Sequence, residues 1–262
     1  MTDNQSINIK NAKILKDMKK QVVKRRSFID EHKKEWERDW YVRVSSTGLS
    51  AVSLNNETPL MGFTISDRKN ISKYSLLDYF QKGKPEVPKR KVPERRVQCW
   101  LIRYALENSM DLKQVLLLQD SFCDKLIFCL DEVPLYDAEI KEQVRCDILA
   151  VGFHGNNAFP VIIEIKSGHH LTGPKGAITE LNQFYSIIDN HKEELKDLLN
   201  TCLGRSDRLI VDPSHIHKMI IWNKEKGISK KTGVEIEKHN IELREYQWML
   251  FKNQWKLDFH KI

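Results

Sequence analysis

The chain has 262 residues, of which 40% are hydrophobic and 30% charged. This balance excludes a disordered or low-complexity protein and leaves room for one large domain or a domain with an appendage. No apolar run approaches the roughly 18–20 residues of a membrane span, and the start MTDNQSINIK lacks an apolar signal region; a cytoplasmic protein with no membrane contact is expected. The five cysteines are odd in number and form no Cys-x-x-Cys pair, which argues against a disulfide framework or a zinc ribbon and for core thiols in a reducing compartment.

The net charge of +7 is unevenly spread: residues 10–38 hold eleven Lys or Arg against five Asp or Glu, and residues 84–96 six against two. Concentrated positive charge suits a polyanion, nucleic acid first. The bland alternative for either segment is a basic stretch simply solvated on one face.

Along the chain, residues 10–40 favour a helix in which Leu15, Met18, Val22, Ile29 and Trp36 form an apolar stripe among basic residues. Lys19, Lys20, Lys24, Arg25 and Arg26 are its candidate nucleic-acid contacts; docking on the main domain and pairing with a second copy are the other uses of such a helix. Residues 41–64 read as a hairpin around Gly48, and a short helix is expected from Ser75. The run QKGKPEVPKRKVP holds three prolines and a glycine among lysines and reads as a linker. It divides the chain into a basic N-terminal accessory region (1–83), a linker (84–93) and a main domain (94–262).

In that domain a helix is expected from Glu94 and a strand over residues 125–135. Two strands within residues 145–166 follow, joined at His154-Gly155-Asn156-Asn157, and then a helix over 178–191. Residues 192–203 continue as a helix or a helical turn that ends at Gly204, and a buried strand covers 217–223. The tail reads as a short strand over 234–240 and a helix around 243–251.

Three ionisable residues, Asp147, Glu164 and Lys166, fall inside these apolar runs, where burial is costly without partners. An acid two residues before a lysine occurs seven times in the chain, but only Glu164-Ile165-Lys166 closes a β-type apolar run, VIIEIK. Residues two apart on a strand share a face, so Glu164 and Lys166 are aimed into one site and Ile165 away from it. Asp147, seventeen residues earlier, supplies a second carboxylate from an adjacent antiparallel strand. Two carboxylates beside an ammonium suit a divalent cation.

At this point residues 94–190 resemble the PD-(D/E)XK nuclease superfamily. The shared features are a leading helix with an acid, a strand, Asp147 on a second strand, Glu164-x-Lys166 on a third, and a helix carrying Gln183. Cys146 stands where that family's motif has proline. The resemblance implies an α/β, restriction-endonuclease-like core with a central mixed sheet flanked by helices. It implies Mg²⁺-dependent hydrolysis of DNA phosphodiester bonds, with Mn²⁺ able to substitute. Asp147, Glu164 and the Ile165 carbonyl would hold the metal, and Lys166 would orient the attacking water. Glu94, with Glu107 as a weaker candidate, would be an outer ligand, and Gln183 would contact water or phosphate. Many members act in restriction or anti-phage defence, so DNA, a second copy or a defence partner are the implied partners.

Bland readings stand beside these. The buried trio could be an inert ion-pair network in a non-catalytic subunit, and the substrate could be RNA or a structured nucleic acid. Glu94 suits a helix first turn after Pro93. Glu132, at the end of the preceding apolar strand, could reach the site or be a strand-end surface acid, and Gln183 could be a plain solvent-side glutamine. His169 and His170 could line the cleft, and His215 and His217 lack a third zinc ligand.

Overall fold

The computed structural model describes residues 3–31, 40–54, 63–65, 93–118, 122–167, 171–172, 176–204, 211–251 and 254–261. Residues 84–92 of the linker, the helix expected from Ser75, and His169 and His170 lie outside them.

The architecture is a central six-stranded mixed sheet flanked by helices, with a small three-stranded antiparallel sheet beside it. The small sheet contains β1 (Trp40–Ser45), β2 (Gly48–Ser53) and β3 (Phe63–Ile65). The large sheet runs in sequence order through β4 (Lys125–Tyr136), β5 (Gln143–His154), β6 (Asn157–Lys166), β7 (His217–Asn223), β8 (Ile241–Phe251) and β9 (Gln254–Lys261). β4, β5 and β6 form an antiparallel meander, β6, β7 and β8 are parallel, and β9 returns antiparallel.

Parallel neighbours need a crossover. α3 (Ala177–Asp189) and α4 (Lys192–Leu203) make the one between β6 and β7, and α5 (Lys230–Lys238) the one between β7 and β8. Gly204 stops α4 in the left-handed conformation, φ 67°.

Two apolar clusters fill the two faces of the sheet. One face packs against α2 (Pro93–Glu107) through Val97, Leu101, Ile102 and Ala105. The other is covered by α3, α4 and the long N-terminal helix α1 (Asp3–Glu31). Leu15, Met18 and Val22 of α1 are buried in the same cluster as Leu130, Val133 and Leu149 of the sheet. The basic helix thus docks on the main domain through its apolar stripe. β1 is tied to β4 by a salt bridge in which Arg43 Nε donates to the buried Asp131 Oδ2 at 2.6 Å.

The tail differs from the sequence reading. Residues 234–240, expected as a strand, lie mostly in α5, which starts at a Ser229 cap whose hydroxyl accepts from Thr232 N at 3.1 Å and buries Thr232 and Ile236 one turn apart. Residues 243–251, expected as a helix, are in β8: its register against β7 runs from Lys218↔Ile241 to Asn223↔Tyr246. A long strand with partners on both sides outweighs the weak helical preference of LREYQWMLF, whose aromatic residues suit a pleated surface.

Candidate functional site

The site forms where the β5–β6 ladder ends. Backbone pairing runs from His154↔Asn157 to Ile148↔Ile163. One residue further, the Asp147 side chain replaces a backbone acceptor: Ile165 N–H donates to Asp147 Oδ2 at 2.7 Å. The Asp147 carbonyl accepts from Gln98 Nε2 of α2 at 2.8 Å. Both ends of Asp147 are therefore fixed. On β6 the alternation behaves as strand geometry requires: Ile165 is buried in the cluster under α2, whereas Lys166 bonds back to its same-face neighbour Glu164 and onward to α3. Its Nζ lies 2.9 Å from Glu164 Oε1 and 2.7 Å from Glu180 Oε2.

Asp147, Glu164, Lys166, Glu180 and Gln183 all line one open cleft of about 790 Å³, together with Glu132 and Arg145. Of the residues read from the sequence, Asp147, Glu164, Lys166 and Gln183 come together here. Glu180 was missed, although its spacing of three from Gln183 places both on one helix face; that spacing was the available signal. Glu132 is a wall of the cleft rather than a surface acid. It falls between the pairs Asp131↔Ile148 and Val133↔Cys146, opposite Asp147, with a left-handed φ of 52°. A non-glycine residue held in that region stores backbone strain, which the surrounding structure must enforce.

The electrostatics are those of a site short of positive charge. Five carboxylates, Glu132, Glu142, Asp147, Glu164 and Glu180, line the cleft against two cations, Arg145 and Lys166. Burial pushes the Asp147 carboxyl up to about 7; the Ile165 N–H pulls against this and the charge of Glu132 adds to it. Asp147 is only half-buried by surface exposure, but the protein crowding its carboxylate makes the desolvation dominant. Burial, then repulsion from Asp147, raises Glu164 well above the carboxylate range despite Lys166. Burial pulls the Lys166 ammonium down, but Glu164 and Glu180 together outweigh it and the net shift is upward. Lys166 is thus held as a cation.

The other candidates fall elsewhere. Glu94, in the first turn of α2, accepts at Oε1 from the backbone N–H and hydroxyl of Ser167 at 3.2 and 3.4 Å. It braces the end of β6 and is not a wall of the cleft. Glu107 is exposed at the far end of the same helix. His217 stacks on Phe122 and packs at a tilt against Phe159, with centroids 4.6 and 4.5 Å apart, and His215 bonds Ser214; neither points to a metal.

The five candidate nucleic-acid contacts on α1 are divided by their partners. Lys19 pairs with Asp197 at 2.7 Å and Lys20 with Asp17 at 3.0 Å. Arg26 donates to the Thr201 carbonyl at 2.7 Å. Arg25 turns inward, donating to Tyr41 Oη at 3.1 Å and the Cys129 carbonyl at 3.5 Å. Lys24 is exposed.

Among the described residues no three His, Cys, Asp or Glu side chains are grouped to hold a metal. Asp147 and Glu164 offer two carboxyl groups that burial and mutual repulsion hold toward the neutral form and that a bound cation would ionise. That donor set fits magnesium, which takes one or two protein carboxylates and completes its shell from water and substrate phosphate, and does not fit a closed zinc site. Compared with known protein families, characterised proteins and solved structures, the chain matches none. Fold and site together define an α/β protein with a carboxylate-rich cleft at the end of a central mixed sheet.

Proposed function

We propose that this chain is a Mg²⁺-dependent endonuclease that hydrolyses DNA phosphodiester bonds, built on a restriction-endonuclease-like core and acting in restriction or anti-phage defence. The observation that carries the reading is the convergence of Asp147, Glu164 and Lys166, from two adjacent strands, in one open cleft. The antiparallel meander followed by a helical crossover to a parallel strand supports the fold assignment.

Magnesium bound here supplies positive charge for the phosphoryl oxygens and a more acidic water. Asp147 and Glu164 hold it. Lys166 stays protonated between Glu164 and Glu180 and orients the water while offsetting charge that develops on the phosphate. Gln183, one turn from Glu180, faces the same space and positions water or phosphate. Ile165 keeps Asp147 aimed through its amide.

The rival reading, an inert nuclease-fold subunit that binds nucleic acid, is favoured by one feature: Lys166 already has two carboxylate partners, as in a purely structural network. Cleavage of plasmid DNA with magnesium, with EDTA, and by Glu164→Ala or Lys166→Ala protein separates the two. Nicking by the wild type alone is expected. Equal nicking by wild type and both variants would sink the catalytic assignment, and RNA, single-stranded DNA and junction substrates in the same assay test the substrate class.

A further inference from the structure

The cleft poses an electrostatic problem for the reading above. Five carboxylates line it, and a phosphodiester carries negative charge, so the substrate needs cationic contacts from the protein as well as from a metal. Lys166 is committed to Glu164 and Glu180. Among the described lining residues, Arg145 is the remaining cation, and its side chain is 54% exposed.

Its placement follows from strand alternation. On β5, Gln143 and Arg145 are exposed and Asp147 half-buried, whereas Val144 and Cys146 between them are buried. Gln143, Arg145 and Asp147 therefore stand in a row along the cleft. The guanidinium is also aimed. Gln143 Oε1 accepts from Nε at 3.1 Å and from one terminal nitrogen at 3.0 Å, and Glu132 Oε2 accepts from the other at 3.4 Å. Arginine has five N–H donors in a planar fork. These three bonds leave one N–H on each terminal nitrogen available to phosphate oxygens. Glu132, whose left-handed backbone lies opposite Asp147, holds one side of the fork.

We infer that Arg145, braced by Gln143 and Glu132, is the residue that grips a phosphate of the polynucleotide and registers it against Asp147, an inference that rests on the nuclease reading and names the contact by which that site takes its substrate. A salt-dependent affinity then depends on its charge, and the cleavage rate on its aim.

The test compares wild type with Arg145→Ala, Arg145→Lys and Gln143→Ala, measuring cleavage of labelled DNA in magnesium and equilibrium binding in EDTA across a salt series. Thermal melting of each protein confirms folding. Arg145→Ala should raise KM and Kd about tenfold and lower the salt slope by about one. Arg145→Lys should keep the slope with intermediate affinity, because a lysine retains the charge but loses the fork. Gln143→Ala should keep the slope and lower kcat. Mononucleotide competition separates the sources of phosphate: a competitor effective only as a polynucleotide supports the inference, and equal competition by a nucleoside monophosphate overturns it. Wild-type affinity and slope in Arg145→Ala would also overturn it while leaving a cleaving enzyme a nuclease. Binding that depends on Arg145 without any cleavage would keep the inference and sink the nuclease reading, and the absence of both binding and cleavage would sink both.

Discussion

Helix α1 and the cleft are opposites in charge and in use. The helix holds the densest positive charge of the described chain, yet its basic side chains are spent largely on the protein: Lys19, Lys20, Arg25 and Arg26 each have a partner within it. The cleft is lined by five acids against two cations, and burial and mutual repulsion push two of those acids, Asp147 and Glu164, toward their neutral forms. A local surplus of lysine and arginine marks where charge is, whereas an excess of acids over bases in a concave site marks where a cation would be stabilised. For this protein the second is the better guide to the chemistry proposed above, since a divalent cation bound there would both relieve the cleft's charge and reverse its sign toward phosphate.

The largest expected effect lies in the cleft. Glu164→Ala should lower the cleavage rate by about 10³-fold, the scale of losing a group that acts on developing charge, with little change in melting temperature; single-turnover cleavage of labelled DNA measures it. The next lies in the helix. Met18→Ala, at a fully buried position, should cost about 2–5 kcal/mol of stability, read by urea denaturation, whereas an accessory helix merely resting on the domain would lose far less.

The pH dependence of stability sharpens the contrast. In EDTA, the native Asp147 carboxyl stays protonated up to about 7, whereas its unfolded counterpart ionises near 3.8. The native state therefore binds more protons between these values, so the stabilisation is full below the lower one and is lost as pH rises through about 7. The expected outcome is a melting temperature that falls from pH 5 to 8 in EDTA. Magnesium, binding the native state, should restore it at pH 8. Asp147→Asn should flatten the EDTA profile; an unchanged slope in that variant would assign the pH effect to other groups.

The smallest effect separates the two uses of α1. Charge reversal at Lys20 and Lys24 should change stability by about 0.5 kcal/mol or less, because both side chains are exposed. A flatter salt dependence of DNA binding in that variant would mean that the helix also touches phosphate. Reversal at Arg25 is a different experiment, since it removes the donor to Tyr41 and to the Cys129 carbonyl, and protein yield and melting would report it first.

Local periodicity made much of this legible. The shared face of Glu164 and Lys166, the buried strand His217–Asn223, the helix Lys192–Leu203 with its Gly204 stop, and the apolar stripe of α1 all depend on contacts or conformations within a few residues. The tail was misread because the strand Ile241–Phe251 owes its state to partners on both sides, which outvote local preference.

By itself, then, the sequence determined the alternation that aims Glu164 and Lys166 together and sets Asp147 on the neighbouring strand, because side-chain direction on a strand has a fixed period of two. Only the tertiary structure decided the rest of the site. Glu180 reaches Lys166 through a crossover helix, and Glu132 reaches the cleft through a left-handed residue on a third strand. Arg25 and Arg26 each find a carbonyl acceptor more than a hundred residues away in the chain. Such contacts are set by how elements pack, and no local pattern of residues encodes that distance.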